Sequence, residues 1–410
     1  MLLLPVRDNL ESRILLDFII LVDNKNSRDA TKAASFYSTF ATLLINLLIC
    51  IVFVELVARI YTARPDQQQD VRTQLPYYAN QTWSDQYWQE FGSIDRSYRP
   101  HTIWRRKEFR GRYINVGKDG LRATPQSDCA SAEKTVFMFG GSAMWGEGAP
   151  DTETVPSYLL QEIERKFEGT ACVINFAESA WTSTQSLIAL IAEIQKEHIP
   201  DLVVFYDGVN DTNVVFTSGK RFTHANLSEF TTRFEKEAVP FHTRVMRNSA
   251  VFSVLYRYVK KQKLDSGQPL LVFDKDADTL SEYIATTYVQ NYQIVGALAE
   301  QYGFEYAFFW QPVIGYGEKV LTPEEDAMLQ DADAIRIKLD EEIYGRMQFI
   351  HSLYDTIAPV LDPLEHVYNL SHVFDDETNA MYIDFVHVTP EANQMVAAEM
   401  FGRLETQLQN

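Results

Sequence analysis

An α/β fold built on a parallel sheet is what this chain of 410 residues predicts, and two observations predict it. Short apolar runs at Thr135–Phe139, Cys172–Phe176, Leu202–Tyr206 and Tyr306–Trp310 read as buried strands. Helix-period stretches at Val155–Phe167, Thr184–Glu197 and Leu280–Tyr302 alternate with them. Such alternation implies a parallel sheet covered on both faces. Ligands of these sheets bind beyond the C-terminal ends of the strands, so the residues that close each run are the first candidates for chemistry.

The first run closes in KTVFMFGGSAMWGEG, Lys134 to Gly148. Gly140 and Gly141 let the backbone turn sharply and leave the Ser142 hydroxyl at the sheet edge, ahead of a helix. A serine there is either a nucleophile or a helix cap. Gly141 and Gly146 have Walker spacing, but Glu147 stands where a lysine would reach the phosphates, which argues against nucleotide binding. The nucleophile elbow G-x-S-x-G fails as well, because Met144 takes the place of its last glycine.

The second run closes in Asn175 to Thr182 and the third in Tyr206 to Asp211. Near the C-terminus Asp384-Phe385-Val386-His387 precedes Thr389-Pro390-Glu391, a helix start with proline at its first position. Ser142, Asn210 and His387 thus fall on one edge of the sheet. A serine hydroxyl becomes nucleophilic when a base takes its proton, which His387 can do near neutral pH. Asp384 can fix the tautomer of the imidazole. The Asn210 amide, with the backbone N–H groups of Ser142 and Ala180, can stabilise an oxyanion. Taken singly, Asn-Asp after a strand is a common turn and an Asp near a His a common surface pair. Together they support acyl transfer through a seryl ester.

These blocks resemble the SGNH/GDSL hydrolase family. Its strand-end GDS, the glycine after strand two, G-x-N-D and D-x-x-H stand here as Gly140-Gly141-Ser142, Asn175 to Thr182, Gly208-Val209-Asn210-Asp211 and Asp384 to His387. Gly141 replaces the Asp of the first block and Ala180 the glycine of the second. The chain is similar in particular to the membrane-anchored bacterial branch. There an E-x-x-x-R ends the anchor (Glu55, Arg59), an N-x-x-G-x-R-like segment precedes the first block (Asn115 to Arg122), and Gln-Pro follows strand four (Gln311, Pro312). The resemblance implies a flavodoxin-like sheet of about five strands, the SGNH hydrolase fold, and needs no cofactor or metal.

The N-terminal part reads differently. Residues 1–35 carry Leu10, Ile14, Phe18 and Leu21 at near-helical spacing, which suits an amphipathic helix or a frayed tail. Phe36 to Val57 is long and apolar enough to span a bilayer. A retained anchor over residues 36–60 fits better than a signal peptide, since the lead is long and no small-x-small cleavage site follows. Glu55 and Arg59, four apart, can pair on one helical face. Lys25, Arg28 and Lys32 before the span balance Arg59, Arg64 and Arg72 after it, so charge leaves the orientation open. Residues 61–128 read as a linker and an irregular juxtamembrane layer rich in Tyr, Trp and Arg. Residues 129–410 read as the hydrolase-like domain, with a charged helical insertion at 212–280 that could overhang the site or bind a partner.

A hydrophobic content of 46% is ample for a packed core, and a net charge of −19 argues against nucleic acid or an anionic membrane surface as partner. None of the three cysteines has zinc-site spacing. Cys129 precedes one predicted strand and Cys172 stands at the start of the next, and their sulfurs can meet if those strands are parallel neighbours, in an oxidising compartment.

The expected function is therefore a serine esterase held at the bacterial inner membrane, with its main domain in the periplasm. The resemblance implies an acylated cell-envelope carbohydrate as substrate, O-acetyl groups foremost. The first alternative is an O-acyltransferase that uses the same Ser142 ester and works with a membrane acyltransferase partner. A second is a non-catalytic assembly or binding subunit that keeps the fold.

Overall fold

The computed structural model describes residues 10–63, 70–125, 127, 129–167, 170–227, 246, 248–255, 258, 270–340 and 342–409. It divides into two units. The first holds helix α1 (Leu10–Ala63), which runs unbroken from Leu10 through the rest of the expected amphipathic segment and the expected anchor, residues 1–9 lying outside the described residues. Its stretch Ala34–Tyr61 is long and apolar enough to cross a membrane. Phe36, Leu43, Leu48, Phe53 and Ile60 are all exposed, as lipid-facing side chains would be. Glu55 and Arg59 pair at 3.0 Å as their spacing predicts. Glu55 also accepts from the Ala250 N–H and the Ser249 hydroxyl, each at 2.8 Å, so these residues of the insertion lie against the end of α1. Residues 228–245, 247, 256–257 and 259–269 of the expected 212–280 insertion lie outside the described residues.

The second unit carries the sheet. Strands β1 (Lys134–Gly140), β2 (Ala171–Asn175), β3 (Leu202–Asp207), β4 (Glu305–Trp310) and β5 (Val367–Asn369) pair in the order β2-β1-β3-β4-β5. All four pairings are parallel. This is the flavodoxin-like order, in which the chain reverses direction across the sheet between β1 and β3. The four strands expected from apolar runs are present within a residue or two, and β5 is the fifth implied by the resemblance.

Helices α2 (Val155–Lys166), α3 (Ser183–Ile194), α4 (Val209–Ser218), α5 (Ala277–Tyr302), α6 (Arg346–Leu361) and α7 (Pro390–Gln409) cover the faces. α2 packs on α7, whereas α5 packs on α3, α4 and α6, which makes the two outer layers. Every residue of β3 is buried, as a central strand between two helical layers requires. Phe139, Phe205 and Phe308 stack across β1, β3 and β4 with ring centroids 5.3 and 4.5 Å apart.

The stretch 70–125, in which no sustained period predicts an element, builds short ones. Helices Pro76–Ala79 and Ser84–Ser93 are followed by the hairpin of Arg96–Arg99 with Ile103–Arg106, then by the pair Phe109–Arg110 and Asn115–Val116. Tyr78, Trp83, Tyr87 and Trp88 hold this layer together in edge-to-face contacts. Cys129 and Cys172 are joined in a disulfide that fastens the segment ahead of β1 to the neighbouring strand β2.

Candidate active site

Ser142 opens a one-turn helix, Ser142–Trp145, directly after β1. Its Oγ lies 2.7 Å from His387 Nε2, and His387 Nδ1 lies 2.7 Å from Asp384 Oδ2. The three residues named from the sequence therefore form one continuous chain of hydrogen bonds, with Ser142 6% and His387 9% exposed. The loop that presents His387 is fixed twice over. Asp384 Oδ1 accepts from the N–H groups of Val386 and His387 at 3.0 and 2.8 Å. Glu325 Oε1 accepts from Met381 and Tyr382 at 2.8 and 3.1 Å, while its Oε2 is paired with the buried Lys319 at 2.9 Å.

The oxyanion donors named from the sequence lie on the turns beside Ser142. Asn210, in the first turn of α4, donates from Nδ2 to the Trp181 carbonyl at 2.8 Å, which leaves its second amide hydrogen available. The Ser142 N–H heads its helix and so has no intrahelical acceptor. Ala180 sits in the turn after β2 with φ +64, the left-handed region that favours glycine. That turn is clamped by the hairpin below it. Glu178 is wholly buried and accepts from Arg106 N at 2.7 Å and Arg106 Nη1 at 3.0 Å, and Trp104 Nε1 donates to the Ser179 carbonyl at 3.0 Å.

Two residues that sequence reasoning did not place at the site complete it. Arg72 Nη1 lies 2.9 Å from Glu147 Oε1 and 3.3 Å from Asp384 Oδ2, so one guanidinium bridges carboxylates on both sides of His387. Asp70 holds the rest of that guanidinium, with contacts of 3.0 Å to Nε and Nη2, and the Trp88 ring lies 3.9 Å beneath it. Glu147 Oε2 lies 3.7 Å from His387 Nε2. Its loop is pinned by Arg122, which donates to the carbonyls of Trp145, Gly146 and Ala149 at 3.1, 2.6 and 2.6 Å and to Asp151 at 2.9 Å. Arg122 closes the N-x-x-G-x-R-like segment, whose function in the fold is thereby accounted for.

The electrostatics follow from these neighbours. Burial works against the charge of Asp384, but His387 and Arg72 outweigh it and hold the carboxyl far below its ordinary range. Burial likewise works against an imidazolium at His387, and the Asp384 and Glu147 carboxylates outweigh it, so the imidazole titrates above its ordinary value. The arrangement can take a proton from Ser142 and store it as a stabilised imidazolium beside donors for an oxyanion. Among the described residues no His, Cys, Asp or Glu cluster is arranged to hold a metal ion.

No family model matches the chain, and no curated protein matches it. Among solved structures it is similar to an acetyl xylan esterase, at 12% identity over 65% of this chain and 98% of that one, with a TM-score of 0.34. It is similar to a psychrotrophic esterase from Pseudoalteromonas sp., at 13% identity over 68% of this chain and 100% of that one, TM-score 0.33. A GDSL-like lipase from Bacteroides thetaiotaomicron is similar at 15% identity, over 67% of this chain and 89% of that one, TM-score 0.32.

Proposed function

We propose that the chain is a serine esterase that removes an O-acyl group, foremost O-acetyl, from a cell-envelope carbohydrate through a seryl ester. The observation that carries the reading is the hydrogen-bonded chain from Ser142 Oγ through His387 to Asp384, each link 2.7 Å. His387 Nε2 takes the hydroxyl proton as Oγ attacks the acyl carbonyl. The Ser142 and Ala180 N–H groups and the Asn210 amide receive the oxyanion. Collapse of the tetrahedral intermediate breaks the bond to the alcohol oxygen, which takes the proton back from His387. Water then repeats the sequence on the acyl-serine. The carbohydrate class rests on the resemblance in the sequence.

The location belongs to the same reading. Residues 36–60 anchor the protein in the bacterial inner membrane with the second unit in the periplasm. The apolar stretch Ala34–Tyr61 supports the anchor, and the Cys129–Cys172 disulfide supports an oxidising compartment for the domain.

The test uses the full-length chain in detergent with an activated acetyl ester, following product release and intact protein mass for wild type and Ser142→Ala. Turnover that disappears in the variant supports the esterase. An acetyl group that persists on Ser142 until a sugar hydroxyl is added would replace it with the acyltransferase reading, in which α1 docks a membrane acyltransferase. Neither turnover nor adduct would leave a binding subunit.

A further inference from the structure

Glu147 is the acidic side chain beside His387 that the proton relay does not use. Its Oε1 is taken by Arg72 at 2.9 Å. Its Oε2 lies 3.7 Å from His387 Nε2, the same nitrogen that bonds Ser142 Oγ at 2.7 Å. Among the described residues Oε2 accepts a long 3.4 Å contact from the Ser179 hydroxyl, so it keeps accepting capacity next to the reacting nitrogen. Burial opposes its charge, yet His387 and Arg72 outweigh burial and keep the carboxyl below its ordinary range, which makes it an acceptor and not a donor.

The leaving alcohol oxygen in acylation and the attacking oxygen in deacylation pass through one place, within hydrogen-bond reach of His387 Nε2. That oxygen commits its one hydroxyl hydrogen to the imidazole. A carboxylate oxygen beside it then calls for a second hydrogen, which a simple alcohol lacks. A hydroxyl on the adjacent carbon supplies it. Two oxygens one carbon–carbon bond apart, each about 2.8 Å from its acceptor, bridge the 3.7 Å between Nε2 and Oε2.

We propose that Glu147 determines specificity by accepting a hydrogen bond from a free hydroxyl next to the ester oxygen, so that the site takes esters of vicinal diols, as on a sugar ring. The proposal rests on the serine-esterase reading and names its substrate class from geometry. In the reaction His387 moves the proton from Ser142 Oγ to the departing oxygen as the Oγ–carbon bond forms and the ester bond breaks. The neighbouring hydroxyl donates to Oε2 throughout and loses no proton. An ester with an ether in that place leaves a buried carboxylate oxygen facing another acceptor, which a site built for a hydroxyl rejects.

The experiment compares kcat/KM for 2-hydroxyethyl acetate and 2-methoxyethyl acetate on the full-length chain in detergent, with the Ser142-dependent release of p-nitrophenolate from p-nitrophenyl acetate read in parallel. Wild type is expected to prefer the hydroxy ester by about tenfold or more, the effect of one hydrogen bond to a charged acceptor. In Glu147→Gln, Arg72 takes the amide oxygen and turns the amide nitrogen toward His387, so a donor replaces the acceptor. The preference then falls to about one or reverses toward the ether. A wild-type ratio near one, or a ratio unchanged in Glu147→Gln, overturns the proposal. The wild-type ratio alone decides it if the variant fails to fold. Release of p-nitrophenolate with a ratio near one sinks this proposal and leaves the esterase standing, whereas no release at all removes both.

Discussion

The side-chain amide of Asn210 fills the space that a Cβ on Gly141 would take. The Trp181 carbonyl holds that amide at 2.8 Å, so it has no easy retreat. Position 141 is where the resembling motif carries an aspartate, and restoring the motif here is expected to do harm. Gly141→Asp, and Gly141→Ala with it, displace the Asn210 donor and lower kcat about a hundredfold, the scale of losing one oxyanion donor. Steady-state kcat on an activated acetyl ester checks this, with the thermal midpoint measured alongside to separate misfolding from loss of the donor. An Asp variant as fast as wild type would mean that Asn210 does not serve the oxyanion.

The pH dependence should respond in opposite directions to the two residues that flank the relay. His387 acts as a base when neutral, so the rate rises with pH through its pKa. The Asp384 and Glu147 carboxylates raise that pKa and Arg72 lowers it. Glu147→Gln is therefore expected to move the rising limb of kcat/KM to lower pH, and Arg72→Met to move it to higher pH. A loss of packing alone would reduce the rate without moving the limb. On the stability side the raised pKa favours the protonated fold. That contribution is complete below the ordinary imidazole pKa and is lost as pH rises through the folded value.

The strands and the Ser142, Asn210 and His387 positions were legible because they follow local rules: apolar runs, turn residues at their ends, and proline after the last loop. Arg72 and Glu147 were not. Glu147 drew notice in the sequence as a residue that is not a lysine, and Arg72 as one positive charge among several after the apolar span. Their meeting depends on a 75-residue separation closing in space, which no period encodes. The same holds for Arg106 and for the partners of Arg122, an arginine that the sequence marked only as the end of the N-x-x-G-x-R-like segment. Both arginines stand in an aromatic, aperiodic stretch and each is buried against groups from distant turns: Arg106 against the Glu178 carboxylate and the Ser179 hydroxyl, Arg122 against the Asp151 carboxylate and three backbone carbonyls. A cluster of arginines among aromatics, without helix or strand period, was the available signal.

Ala180 tests the strain that its substitution for glycine introduces. At φ +64 an alanine pays a steric cost of about 1 kcal/mol that glycine does not, partly offset by the greater freedom of glycine in the unfolded chain. Ala180→Gly is expected to stabilise the protein by roughly 0.5 kcal/mol, seen as a higher denaturant midpoint with unchanged slope. A destabilised variant would show that the Cβ of Ala180 contributes more by packing than it costs in backbone strain.

Glu325 acts on the site without touching it. Its carboxylate accepts from the Met381 and Tyr382 N–H groups at 2.8 and 3.1 Å, just ahead of the loop that carries Asp384 and His387, and its other oxygen meets Lys319 at 2.9 Å. Both side chains are buried, at 0% and 4% exposure. Glu325→Ala leaves the Lys319 ammonium without its partner and is expected to cost about 3 kcal/mol or more. Replacing the pair together, as Lys319→Met with Glu325→Leu, removes the buried charge and should recover much of that stability. It cannot recover the two backbone hydrogen bonds. The double variant is therefore expected to fold with a thermal midpoint near wild type, yet with a reduced kcat, because the Asp384–His387 loop has lost its tether. Equal kcat in the double variant and wild type would show that the two bonds made by Asp384 Oδ1 to Val386 and His387 hold the loop by themselves.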